Sequence, residues 1–441
     1  MHSHHHTHGR PGDTPAAGVT STDPASRRRA LVLLTLVLVP LALATALGMV
    51  LLWPKAGEVS SSGASTDTRN LTYPEATVVA IAPYECPAAN RRPDENGNIP
   101  VTTCATVQAR LETGPERDGI VTVDVPAESL RTGLKIGDRI KVVRIFNHQS
   151  GPAVYGFHDY ARTMPLALLA VAYALVVVGV ARLRGLRALI GLGIAGLIIV
   201  KFMLPALLVG NSGLLVGVVG AAAIMFVVLY LAHGFSARTT TALVGTLFGL
   251  LATAGLGVWA AAAAHLTGLG DRDGITLAMF NHQVNMTDIV LCGIIVAGLG
   301  VLNDVTITQS SAVWELYELA PQTSARKLFG SAMRIGRDHI ASTVYTIAFA
   351  YAGAALPIML LVNVYDRPVL AVLSSAQIAE EIVRTLVASI GLVLAIPLTT
   401  LVAVAVVKAV GRPAPSPEAP GDQQPTPETV GADSAEVVPA H

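Results

Sequence analysis

The feature that most constrains this chain is the recurrence of apolar runs long enough to cross a bilayer, spaced from Ala30 to Val407. A hydrocarbon core takes a helix of roughly 17 to 25 residues, and about eight runs meet that length. They lie near 30–53, 164–181, 188–208, 214–232, 241–265, 287–303, 341–362 and 382–407. With 52% hydrophobic and only 14% charged residues among 441, most of the chain belongs in lipid. The expected fold is an α-helical polytopic membrane protein of about eight transmembrane helices, with a small extracytoplasmic β-barrel-like domain between the first two.

The first run follows Arg27, Arg28 and Arg29 and contains Ala44-Thr45-Ala46, as a signal peptide would. It continues to Trp53, which suits an uncleaved anchor. Lys and Arg in short loops set orientation. One side receives Arg182, Arg184 and Arg187, then Arg238, then Arg326, Lys327, Arg334 and Arg337, and finally Lys408 and Arg412. The opposite short loops offer Arg272 and Arg367. The expectation is a multi-pass protein of a bacterial cell membrane with both termini cytoplasmic. Formal net charge is zero, so no global field points to nucleic acid. The lipid bilayer is the expected partner, and a homo-oligomer stays open.

Residues 54–163 then lie outside. They read as β structure: 106–111 alternates polar and apolar, Val121, Val123 and Val125 alternate with Thr122 and Asp124, and Asp118-Gly119 marks the turn between. A further strand, 139–145, follows the Gly137-Asp138 turn. An OB-like or SH3-like barrel and a short open sheet both fit. Cys86 and Cys104 bracket a turn-rich loop in an oxidising compartment, and a disulfide between them is expected. Cys292 falls in an apolar run and reads as a packing thiol.

The ends, 1–29 and 409–441, are low in complexity and read as disordered cytoplasmic tails around the membrane region 164–408. His2, His4, His5, His6 and His8 could hold Zn, Ni or Cu weakly, but such a tract closes no defined shell, so a solvated tail is the favoured reading. No cofactor is expected.

Three motifs carry a resemblance: HGFSARTTTA at 233–242, GLGVLNDVT at 298–306 and RIGRDHI at 334–340. Together they resemble the YibE/F family of bacterial multi-pass membrane proteins, over roughly 78–407. The resemblance implies a membrane fold and brings no settled substrate, reaction or cofactor.

On the expected topology all three motifs face the cytoplasm. Asp304 ends an apolar run, with Asn303 and Thr306 beside it, across one loop from Arg337-Asp338-His339. An acid so close to hydrocarbon is either a hydrated helix end or part of a pathway. The functional reading takes Asp304, Asn303, Thr308, Asp338 and His339 as pathway or coupling residues, with Arg334 and Arg337 as candidate ion-pair partners. Continued as a helix, this stretch sets Asp304, Thr308, Ser311, Glu315 and Glu318 on one stripe and Leu302, Val305, Ala312, Leu316 and Leu319 on the other. The segment 324–337 mixes apolar and basic residues and suits a helix lying on an anionic leaflet.

Lys201 is expected to snorkel, and Asp288 to sit at a helix N-terminus. Gly191, Gly193, Gly196, Gly213, Gly217, Gly245 and Gly249 should allow close helix packing. Pro357 and Pro397 should kink the last two spans. Phe-Asn-His-Gln occurs at 146–149 and again at 280–283, by chance on the simplest reading. No HExxH, GxSxG or P-loop is present, and Gly268-Leu269-Gly270-Asp271 with Tyr365-Asp366 has the wrong order and place for an intramembrane aspartyl protease. The expectation is not an enzyme but a permease or channel for an ion or small solute. The alternative is a non-transporting envelope sensor or scaffold acting through its outer domain.

Overall fold

In hydrocarbon a backbone must satisfy its own N–H and C=O groups, and the apolar runs of this chain do so as helices. A computed structural model describes residues 24–55, 71–87, 100–145, 153–364 and 368–410. The histidine tract, most of the loop between Cys86 and Cys104, the first Phe-Asn-His-Gln, Tyr365-Asp366 and the C-terminal tail lie outside the described residues.

Helix α1 (Pro24–Leu52) leads into strands β1 (Leu71–Thr72), β2 (Glu75–Pro87), β3 (Val101–Leu111) and β4 (Ile120–Val125). The short α2 (Ala127–Leu130) and strands β5 (Arg139–Ile145) and β6 (Val154–Tyr160) complete the domain. Then come α3 (Thr163–Ile198), a π-helical turn at Ile199–Met203, α4 (Leu204–Leu208), α5 (Gly213–His233) and α6 (Ala237–Ala263). The described residues then continue through α7 (Arg272–Phe280), α8 (Met286–Leu319), α9 (Ala325–Val364), α10 (Val369–Leu373) and α11 (Ala376–Val410).

The six strands form one curled antiparallel sheet in the order β1-β5-β2-β3-β4, with β6 on the other side of β5. Alternation builds its core: Val107, Ala109 and Leu111 of β3, Val123 and Val125 of β4, and Ile140 and Val142 of β5 are buried together, with Val121 packed at the margin. Asp118 and Gly137 take positive φ at the two expected turns, and Asp138 accepts from the Lys135 N–H to close the second. Cys86 and Cys104 are joined across β2 and β3, their Cα atoms 5.8 Å apart.

Among the described residues, seven helices are long and apolar enough to span a membrane, where eight runs were expected. The difference lies in 163–208, which forms one 46-residue helical stretch. It is broken at Arg182, where φ is 52°. A Cβ on Gly185 would sit 2.4 Å from the Val177 carbonyl oxygen, a residue that a straight helix would hold about 12 Å away along its axis. The chain therefore folds back sharply at the expected loop.

Two expectations at the other end of the bundle are corrected. The segment 324–337 is no separate surface helix: it is the first part of the 40-residue α9. Its apolar face is taken by the protein itself, Leu328 and Ala332 packing with Val313, Ala403, Val404 and Val407. Asp304 is not at a helix end, because α8 runs on unbroken to Leu319. Pro357 and Pro397 lie inside continuous helices α9 and α11.

Candidate functional site

The helices α6, α8 and α11 form the heart of the bundle, and glycine makes their closeness achievable. A Cβ at Gly245 would fall 2.1 Å from Thr399 Oγ1, one at Gly249 2.7 Å from Leu302, and one at Gly391 2.0 Å from Thr253 Oγ1. Gly213 abuts the Asp288 backbone, Gly217 abuts Ile295, and Gly191 touches Val228. Gly193 and Gly196 face open space, so they do not serve the packing expected of them.

Where these helices meet, the interior is polar. Thr246, Thr253, Thr306, Gln309, Ser310, Thr399 and Thr400 are all buried. The hydroxyls of Thr246 and Thr306 are 2.5 Å apart, joining α6 to α8. Gln309 Nε2 donates to Thr400 Oγ1 at 2.7 Å and to the Ala332 carbonyl at 3.0 Å, so one amide ties α8 to α11 and α9. Ser310 Oγ donates to the Arg238 carbonyl at 2.9 Å. Thr399 Oγ1 is buried without a hydrogen-bond partner. Thr306, Gln309 and Ser310 recur at helical spacing on one face of α8, and that spacing is the signal that sequence reasoning passed over.

The expected site lies on the other side of the same helix. Asp304 and Thr308 are exposed, as are Arg334, Arg337 and Asp338. Asp304 Oδ2 lies 3.6 Å from His339 Nε2, and no ion pair to Arg334 or Arg337 is formed among the described residues. Asn303 Oδ1 and His339 Nε2 are buried without hydrogen-bond partners. The structure thus brings Asp304 and His339 together, buries the Asn303 amide oxygen, and leaves Thr308 and Asp338 exposed. Of the expected stripe, Leu319 is exposed rather than buried.

The bundle has two distinct ends. At one, Arg238 approaches Glu315 at 3.8 Å, and Lys408 donates to the Pro321 carbonyl and sits over the Tyr317 ring. At the other, Asp288 accepts from the Gly213 N–H at 2.7 Å, locking the N-termini of α5 and α8 together. Asn281 there donates to the Leu208 carbonyl, and Glu380 accepts from the Gly268 N–H at 3.0 Å. Lys201, in the π-helical turn, is exposed.

This second end holds a cavity of about 530 Å³ between α9 and α11. Its polar wall includes Asp271, Tyr351, Gln377, Glu380, Glu381 and Arg384. Arg384 pairs with Glu381 at 2.5 Å. Its guanidinium also reaches toward α8, 3.8 Å from where a Cβ on Gly293 would stand. None of Glu380, Glu381 and Arg384 was expected, because the last span was drawn from 382 and so cut the cluster in two.

Residues 169–409 match the family described as YibE/F-like protein, more than half of the chain. The chain belongs to the YibE/F-like family. The matched region contains every buried polar residue of the α6–α8–α11 seam and the whole of the charged cluster on α11, whereas the β-domain lies outside it. Neither a curated protein nor a solved structure matches this YibE/F-like chain.

Proposed function

We propose that this YibE/F-like protein is a permease or channel for an ion or small solute in a bacterial cell membrane, and not an enzyme. The observation that carries the reading is the polar seam: hydroxyls and an amide are placed where three helices meet, in a region whose surroundings would favour leucine. Along α11 the buried face passes from Arg384 through Ala388, Gly391 and Ala395 to Thr399, a file of small and polar side chains from one end of the bundle toward the other. In this conformation the file is packed shut, as a closed pathway would be. The charged cavity adjoins this file at Arg384, and Asp304 and His339 meet on the opposite, exposed side of α8.

The orientation belongs to the same proposal. The end carrying Arg238, Arg334, Arg337 and Lys408 faces the cytoplasm with both termini, and the sheet domain faces outward. On this proposal 163–208 crosses twice, a reading supported by the break at Arg182, and the crossings number eight.

A second reading, a non-transporting sensor or scaffold, is favoured by the fact that Thr253, Thr306 and Thr400 also donate to carbonyls of their own helices. On that reading the seam only clamps the helices. Flux separates the two. Purified protein in liposomes is screened with inorganic ions and small solutes, and any hit is repeated with Gln309→Leu and Asp304→Asn at matched incorporation. A permease loses flux in Gln309→Leu while remaining folded, and Asp304→Asn reports whether the exposed carboxylate couples. No flux of any solute, with folded protein, would leave the scaffold.

A further inference from the structure

We propose that the cavity between α9 and α11 is a binding site for a small organic cation, with Glu380 as the carboxylate that receives its charge and the apolar wall and Tyr351 ring holding its body. The inference rests on the permease reading only for its biological use, since binding is measured without transport.

Charge comes first. The cavity wall carries three carboxylates, Asp271, Glu380 and Glu381, against one guanidinium, Arg384. Arg384 is committed to Glu381. Asp271 caps α7 by accepting from the Gly274 N–H. Glu380 accepts one backbone N–H, from Gly268, and among the described residues forms no ion pair. It is only partly exposed, on a helix that is itself a candidate span. A carboxylate in such a place is costly unless a cation or a proton joins it.

The rest of the wall says which cation. It is mostly aliphatic, with Ala352, Ile358 and Met359 from α9 opposite Ile382 and Leu386 from α11. Bare inorganic ions are held by several oxygens in a tight shell, and among the described residues no cluster of three or more metal-ligating side chains occurs. An ammonium on an apolar body fits better: the charge meets Glu380, the body displaces poorly held water from the aliphatic wall, and Tyr351 offers a ring face to the cation. The volume is in the range that takes a drug-sized molecule.

The test uses the full chain in nanodiscs and titrates benzyltrimethylammonium by calorimetry, with empty nanodiscs subtracted. Saturable binding is expected, weakened about tenfold or more by Glu380→Gln, which removes the charge and keeps an acceptor for the Gly268 N–H. The uncharged isostere neopentylbenzene should not compete. Met359→Trp, which fills the cavity from the side facing away from the bundle, should also abolish binding, so a folding defect in one variant does not decide the matter. Equal affinity in wild type and Glu380→Gln, equal competition by the uncharged isostere, or equal competition by sodium would each overturn the proposal. Binding together with no flux of any screened solute would overturn the permease reading and keep this one; flux of a solute without this binding would do the reverse.

Discussion

The sheet domain and the helical bundle solve opposite problems with the same rule. In the sheet, the buried set is apolar throughout, and the charges of Arg139, Glu75 and Glu112, of Arg144 and Glu116, and of Arg162 and Asp159 pair on the surface. In the bundle, Leu36, Leu43, Leu175, Val180, Phe349 and Leu360 face outward, while threonines and a glutamine are buried. Each region hides what its surroundings disfavour. In water the hydrophobic effect supplies the drive. In lipid, Leu gains nothing by turning inward, so close backbone approach and internal hydrogen bonds must hold the helices. The bundle should therefore be sensitive to changes in size, and the sheet to loss of its covalent tie.

The largest effect should come from size. Gly213→Leu places a side chain where the Asp288 backbone already stands within 1.9 Å of a built Cβ. The cost should reach or exceed ~3 kcal/mol, the upper part of the usual overpacking range, and no monodisperse protein should elute in detergent. Gly193→Leu, which meets nothing within 4 Å, should elute like wild type. Equal behaviour of the two would break the claim that close approach holds the bundle.

The sheet should respond to reduction. Cys86 and Cys104 are 18 residues apart, and opening that loop should cost about 3 kcal/mol in the chain-entropy model. Limited proteolysis with reductant should cut the sheet domain and spare α5 to α11. In intact cells an impermeant thiol reagent should label both cysteines only after reduction. Labelling without reductant would remove the disulfide from the argument, and protection after reduction would reverse the proposed sidedness.

Legibility followed the same division. Period-two alternation located β3, β4 and β5 and their turns, because one face of each is buried and the other wet. It passed over β2, where Val78 to Ala82 is an unbroken apolar run with no alternation to read, paired along its length with β3. Hydropathy located the helices but not their ends: α8 and α9 extend beyond their apolar runs because nothing in Asn303–Leu319 or at Arg337–Ala341 breaks a helix. The site was the least legible part. Both stripes of α8 beyond Asn303 carry polar groups, and which one is buried depends on where Gly336 and Thr400 leave room and offer a partner on neighbouring helices. A charge draws the eye to Asp304, yet the residues with interior partners are the uncharged ones beside it.

A smaller effect compares one polar side chain in each region. Gln309→Leu removes two donations inside the bundle, and should cost ~1 to 2 kcal/mol while leaving Thr400 and the Ala332 carbonyl short of a partner. Thr106→Val removes a hydroxyl donation to Asp124 on the face of the sheet that meets water, and should change stability by less than about 0.5 kcal/mol. Thermal unfolding in a single detergent checks both. A Gln309→Leu protein as stable as wild type would mean that the amide is kept for a reason other than holding helices, which sharpens the permease reading.

The smallest effect is a pH dependence within the sheet. Arg144 on β5 donates to Glu116 at 2.9 Å, and the Tyr155 hydroxyl on β6 donates to its other oxygen at 2.8 Å. The Arg144 guanidinium first, and Tyr155 second, hold the Glu116 carboxyl below its ordinary range. A carboxylate whose folded pKa is depressed stabilises the fold above its unfolded pKa, and that contribution disappears as pH falls through the folded value. Glu116→Gln should therefore be less stable than wild type at neutral pH, and the gap should close under acid conditions below the ordinary carboxylate range. Salt should narrow the gap at neutral pH as well, since the Glu116 carboxylate is exposed to solvent. Urea midpoints for the cleavage of the sheet domain, taken from pH 7 downward, read this directly. A gap constant across the titration would mean that Glu116 acts by packing its stem in the β3–β4 turn rather than by its charge. The comparison with the bundle would then rest on burial alone, without an electrostatic share on the side that meets water.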